Sequence, residues 1–420
     1  MLRLRAGFKH LSSPKQFTQF LGNGLSQEDR QELAESYNYD YHARKIKFEP
    51  HFRSLVLHEC TEAESLRGLG DAVNNEILYQ ACGANMDVSV AALSKAHAKR
   101  PLAPFIDILN EVITSIGNIP KSGKILRDVD SEVLDGICDL LGEVSIFDAS
   151  ILRLPAKIAK WAKMRENSSG VKVQLRLSCG YGGVEKVMIT SAKGNDNPYF
   201  DSLLDLEQGA GKIYLFDTGY FKIETYEKIV ASGNHFVTNL HKNISYQVIE
   251  ELPLSEKEAP NGYLIHSDQL VILGKGDNTT ANIYRLIEVT DSKGDRTTIL
   301  TDINDLSAPQ LCHLRQYRWS IEIVFRWLKR TLKLGKLISY SPKGVILQVV
   351  MALIVYGLMV LYHLGEVFSP TETLRKIKNH LHQLIFDWGY SHGYYDARRL
   401  QLGLPPSAHR SLKLEIKSEN

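Results

Sequence analysis

The sequence predicts a mixed α/β core carrying an antiparallel β insertion, preceded by an all-helical N-terminal domain and followed by a helical C-terminal segment. Three observations lead there. Up to about Ile119 only helical patterns occur; from Val144 to Leu240 strand runs come first in succession and then in alternation with helices; from 243 to 300 short strand-like runs are punctuated by Gly, Asn and Asp turns. The implied divisions are residues 1–120, 121–242, 243–305, 306–365 and 366–420, the second and fourth being two parts of one core.

In the first region Gln27 to Tyr37, Ala63 to Tyr79, Ser89 to His97 and Leu102 to Ile116 read as helices, joined by turn-rich pieces such as CGANMD and KRPLAP. The helix at SVAALSKAHAKR ends in bases, which suits either a DNA-reading helix or a plain bundle element. Strands follow at VSIF (144–147), VKVQLRL (171–177), KVMIT (186–190) and IYLF (213–216), with a helical piece near Ser202 to Glu207 before the fourth. Tyr220 to Ser232 reads as a helix and Asn234 to Leu240 as a fifth strand. Gly180, Gly182 and Gly183 in CGYGG mark a tight hairpin and not a phosphate loop, because no Lys and helix start follow.

Composition narrows the class. Five cysteines, odd in number and never in a CxxC pair, point to a reduced, intracellular protein, and the basic start lacks the apolar run of a secretory signal. The net charge of +2 hides an uneven distribution: residues 151–176 carry 7 Lys/Arg against 1 Asp/Glu, and residues 310–420 carry 16 against 7. Such local basic excess fits a polyanionic partner. Val345 to Leu364 is apolar over twenty residues, long enough for a membrane span, yet it follows a charged helix directly and has no companion span, so a buried core helix is the expected reading.

Leu311 to Leu337, expected as one helix, concentrates the charge. At about 100° per residue, Arg315, Arg318, Glu322, Arg326, Lys329 and Lys333 fall within an arc of roughly 80°. An acid ringed by bases either pairs with Arg318 and Arg326 at i±4 or holds a divalent cation while the bases grip nucleic-acid phosphates. Partner acids decide between these. Asp148 closes the first strand in VSIFDAS and Asp217 closes the fourth in IYLFDTGYF, where the sites of open α/β sheets gather, although strand-end aspartates are also turn formers and helix caps. Asp139, Asp201 and Asp205 compete for the first position.

The spacing Arg318, three residues, Glu322, six residues, Lys329, together with DTGYF and FDAS, resembles the DDE-type bacterial insertion-sequence transposases of the insertion-sequence-four group. That family's signature begins with a Tyr three residues before the Arg; here Arg315 stands there and Tyr317 lies two residues later. The resemblance implies an RNase H-like core and a DNA-binding N-terminal domain. It further implies catalysis by Asp148, Asp217 and Glu322 as ligands of two Mg2+ ions, with Mn2+ a permitted substitute, and phosphate binding by Arg315, Arg318, Lys329 and Lys333. The implied reaction is cleavage at the ends of an insertion sequence and joining of the 3′ ends to target DNA, by a homodimer on double-stranded DNA in the cytoplasm, at the nucleoid and not at a membrane. The alternative is a catalytically inactive, transposase-derived DNA-binding protein. Asn239 and His241, after the fifth strand, are placed near the cleft.

Overall fold

The computed structural model describes residues 14–61, 64–118, 131–179, 182–254, 257–259, 262–276, 278–291, 294–330 and 332–362. The tail expected to be helical after Ser369 lies outside them. Helices come first: α1 (Pro14–Gly22), α2 (Gln27–Ser36), α3 (Phe48–Cys60), α4 (Leu66–Asn75), α5 (Ile77–Ala81), α6 (Val90–Lys99), α7 (Ala103–Gly117) and α8 (Ser131–Leu141). Serine hydroxyls set several of their starts, Ser26 in a capping box on α2 and Ser65 and Ser89 at the heads of α4 and α6. The helix expected over Ala63 to Tyr79 is two helices, because Glu76 takes an extended backbone between them. The sequence reading missed α3, whose buried residues occupy every side of the helix and so leave no amphipathic period to detect.

The strands are β1 (Glu143–Leu154), β2 (Lys163–Arg165), β3 (Ser168–Ser178), β4 (Val184–Ser191), β5 (Lys212–Leu215), β6 (His235–Thr238), β7 (Tyr246–Glu251), β8 (Glu258–Ala259), β9 (Tyr263–Lys275), β10 (Asn278–Thr279), β11 (Tyr284–Thr290) and β12 (Arg296–Thr301). The short helix α9 (Phe200–Leu203) precedes β5 and α10 (Ile223–Ala231) links β5 to β6; after β12 come α11 (Ala308–Gln316), α12 (Trp319–Arg330) and α13 (Pro342–Tyr362). The strands form one sheet in the order β10-β9-β11-β12-β6-β5-β1-β3-β2, with β4 also on β3 and β7 and β8 also on β9. Its centre, β6-β5-β1, is parallel; both flanks are antiparallel. The inserted strands are antiparallel as expected, and they extend the core sheet through Leu300 opposite Thr238 and Thr301 opposite Val237.

Alternation of side chains across the central strands gives two cores. Ile146, Ile213, Leu215 and Val237 face a core shared with α11, α12, α13 and the N-terminal helices. Phe147, Tyr214, Phe216 and Phe236 face an aromatic core with Tyr226 of α10 and Tyr284 of β11. The apolar helix α13 meets the length and hydropathy of a membrane span, and 89% of its most apolar window is buried inside the protein. It packs against α7, where Gly357 lets the backbones close: a Cβ there would lie 2.3 Å from Val112 Cγ1.

Two expectations about the charged region need correction. Leu311 to Leu337 is not one helix: Tyr317 and Arg318 form a turn between α11 and α12, and α12 ends at Arg330. Lys333 lies beyond that end with φ +54° and is not on the charged face. It is buried, its ammonium donates to the His58 carbonyl oxygen, and it sits beside the buried Glu59 carboxylate, so it faces the N-terminal helices and not a cleft.

Candidate active site

Asp148 and Asp217 each follow by two residues the last parallel pair between β1 and β5, Ile146 with Leu215. Period-two alternation therefore gives both acids the face of Ile146 and Leu215, the side covered by α11 and α12. Asp148 does not close its strand, as the sequence suggested; β1 runs on to Leu154, paired with β3, and Asp148 opposite Leu175 marks where the parallel neighbour stops. The Asp217 Oδ1 accepts the Gly219 amide at 2.7 Å, which holds the turn after β5. Glu322 stands in the first turn of α12, whose Ile321, Val324 and Leu328 anchor it in the core.

Arg318 ties these elements together. Its Nη2 donates to Glu322 Oε1 at 2.5 Å and its Nη1 lies 3.6 Å from Asp148 Oδ2, while its Nε is buried without a hydrogen-bond partner among the described residues. Burial pushes the Asp148 carboxyl up to about 6; the Ala149 amide and Arg318 pull it down, and Asp217 and Glu322 push it further up. The three acids thus lie within electrostatic reach of one another. The competing acids are engaged elsewhere: Asp205 with Arg176 and Lys186, and Asp201 with Lys222 and Lys228, while Asp139 is exposed on α8.

Two further bases border the acids. Burial, then Arg318, lowers Arg315 to about 10, with Asp217 and Glu322 acting the other way; its Nε donates to Asn239 Oδ1 at 2.6 Å. Half-buried Lys329 is lowered by burial and by Arg153, against the pull of Asp148. Tyr317, the other candidate for the signature Tyr, is buried and meets His313 Nε2 at 3.3 Å. The phenol that the sequence reading missed is Tyr263 at the start of β9: half-buried, it is raised by burial and lowered by Arg315 and Arg318. No local pattern marks it, since it comes from a strand some fifty residues away in the chain. Arg326 instead covers the exposed Trp319 ring at 5.9 Å, and His241 is exposed at the rim of a cavity of about 270 Å³.

Residues 140–358, just over half of the chain and including Asp148, Asp217 and Glu322, match the family model described as a transposase DDE domain. The chain belongs to that family. A Sinorhizobium fredii protein named as transposase y4zB is 27% identical over 270 residues, 64% of this chain and 69% of that one. A Geobacillus stearothermophilus protein named as a transposase for insertion sequence element IS5377 is 23% identical over 214 residues, 51% of this chain and 55% of that one. Among solved structures, a piggyBac transposase synaptic complex with hairpin DNA covers 95% of this chain and 86% of that one at 10% identity, with a TM-score of 0.47, too low to carry a fold assignment.

Donor type and spacing give different answers about a metal. Three carboxylates, one with its proton affinity raised by burial and by the other two, are the hard oxygen set that Mg2+ or Mn2+ takes. Arg318 now bridges two of them, and among the described residues no three His, Cys, Asp or Glu side chains are grouped closely enough to hold a metal ion.

Proposed function

We propose that this DDE transposase cuts DNA at the ends of an insertion sequence and joins the freed 3′ ends to target DNA, on an RNase H-like core of the insertion-sequence-four group. The observation that carries the reading is Arg318 joining Asp148 to Glu322, with Asp217 and Glu322 both within electrostatic reach of Asp148.

In this reading the three acids hold divalent cations, with Mg2+ the expected ion and Mn2+ able to replace it. A cation bound there supplies Lewis-acid polarisation of the phosphodiester and lowers the pKa of an attacking water or 3′-hydroxyl. The protein's own part is to bind and align. Arg318 exchanges one carboxylate for a phosphate oxygen, which suits its planar fork, and Arg315 and Lys329 add charge along the strand. The N-terminal region, residues 1–120, binds DNA, and a homodimer brings two element ends together. Lys333 has no phosphate role, because its ammonium is buried against the N-terminal helices.

The decisive experiment incubates the protein with duplex DNA carrying the element's ends and Mg2+, beside Asp217→Ala and Glu322→Ala. Expected is cleavage that EDTA abolishes and that either substitution removes, with DNA binding largely kept. Undiminished cleavage by both variants overturns the assignment of the acids; binding without cleavage by the wild type supports the inactive, DNA-binding alternative.

A further inference from the structure

Asn239 follows β6 by one residue, where β6 pairs with the returning insertion strand β12. Its side-chain amide makes two bonds of opposite sense: Nδ2 donates to Thr297 Oγ1 on β12 at 2.9 Å, and Oδ1 accepts from Arg315 Nε at 2.6 Å. The pair fixes the amide's orientation, because the flipped amide would turn its NH2 against the guanidinium, donor to donor. Among the described residues Arg315 makes no hydrogen bond through its terminal nitrogens.

We propose that Asn239 is a positioning residue: it holds Arg315 by the Nε edge so that the two terminal nitrogens are presented, beside Asp217 and Glu322, to a phosphodiester of DNA. The inference rests on the reading of Arg315 as a phosphate ligand. An amide suits the task better than a carboxylate would. It accepts the Nε proton without neutralising the guanidinium, so the full charge remains for phosphate. Because Thr297 belongs to the insertion, the placement of a cation next to the acids depends on the register of β12 against β6. The insertion thereby contributes to the site through the Thr297 hydroxyl that holds the Asn239 amide, without touching DNA at that point.

The test measures DNA binding in EDTA, where no strand is cut, as the slope of log affinity against log salt for the full chain and duplex DNA carrying the element's ends. Loss of one phosphate contact lowers that slope by about one. Arg315→Ala is expected to show that loss, Asn239→Ala the same loss, and the double variant no more than either single one. Thr297→Val, isosteric and safer for folding, should fall between wild type and Asn239→Ala. In Mg2+ the rate of single-turnover cleavage should follow the same non-additive pattern, about tenfold down for Asn239→Ala. If Arg315→Ala lowers the slope while Asn239→Ala and Thr297→Val leave it unchanged, or if the single losses add, Asn239 does not act through Arg315 and the proposal fails. An unchanged slope in Arg315→Ala removes the phosphate reading itself, and the proposal with it.

Discussion

Arg318 touches two of the three acids, and Lys333, fifteen residues later in the same basic run, donates instead to the His58 carbonyl oxygen. Arg318→Gln is expected to lower strand cleavage about 100-fold, the range seen when a pre-aligned electrostatic group is lost at a reacting phosphate or carbonyl. Arg318→Lys should recover little of it, since a point charge cannot bridge two carboxylates as a planar fork does. Single-turnover rates decide, and near-wild-type cleavage by the Gln variant would exclude a catalytic part for the guanidinium. Lys333→Ala should act on stability: it leaves the buried His58 carbonyl oxygen without that donor and costs about 1–3 kcal/mol, read as a lower urea midpoint, while the salt dependence of DNA binding stays as in the wild type.

At the scale of elements, the sheet and α13 explain why the acids come within electrostatic reach of one another. The parallel β5-β1 pair stops two residues before both aspartates, and α12, held through α13 to the N-terminal helices, brings Glu322 over that edge. The contact of α13 with α7 has no spare room at Gly357, where a Cβ would overlap Val112. Gly357→Ala is expected to destabilise the protein by about 1–3 kcal/mol through overpacking, and Val112→Ala in the same chain should restore part of that. Denaturation midpoints of the two single variants and the double variant test it; strict additivity of two losses would place the strain elsewhere.

Over the whole molecule, the N-terminal helices carry three buried histidines. Burial, aided by neighbouring cations, holds His58 down at about 3 and His51 well below the usual imidazole value; burial alone holds His97 down at about 4. The rings of His51 and His97 stack at 5.3 Å, and among the described residues His51 Nε2, His97 Nε2 and both His58 nitrogens lack hydrogen-bond partners. As pH falls below about 6.5, unfolded histidines take up protons that the folded ones refuse, so stability drops by up to about 1.4 kcal/mol per pH unit for each. Glu59 and Asp148, raised by burial, act in the opposite sense. His97→Phe removes one proton from this balance and should flatten the change in urea midpoint between pH 7 and pH 5; an unchanged dependence would mean that His97 titrates normally when folded.

Period, turn chemistry and the spacing of Arg318, Glu322 and Lys329 were enough to place the main strands and the family, because each of these is written in neighbouring residues. Local pattern could not reveal α3, which is buried on all sides, nor the break at Tyr317 and Arg318, since nothing there forbids a helix. Nor could it separate Lys333 from the other cations of the charged run, because one left-handed backbone angle and a partner 275 residues away decide its direction. Tyr263 and Asn239 reached Arg315 only through the pairing of strands distant in the chain. The sequence by itself determined which groups carry charge and which elements bear them; the tertiary structure decided which of those charges share one low-dielectric space, because burial and partnership depend on the whole packing.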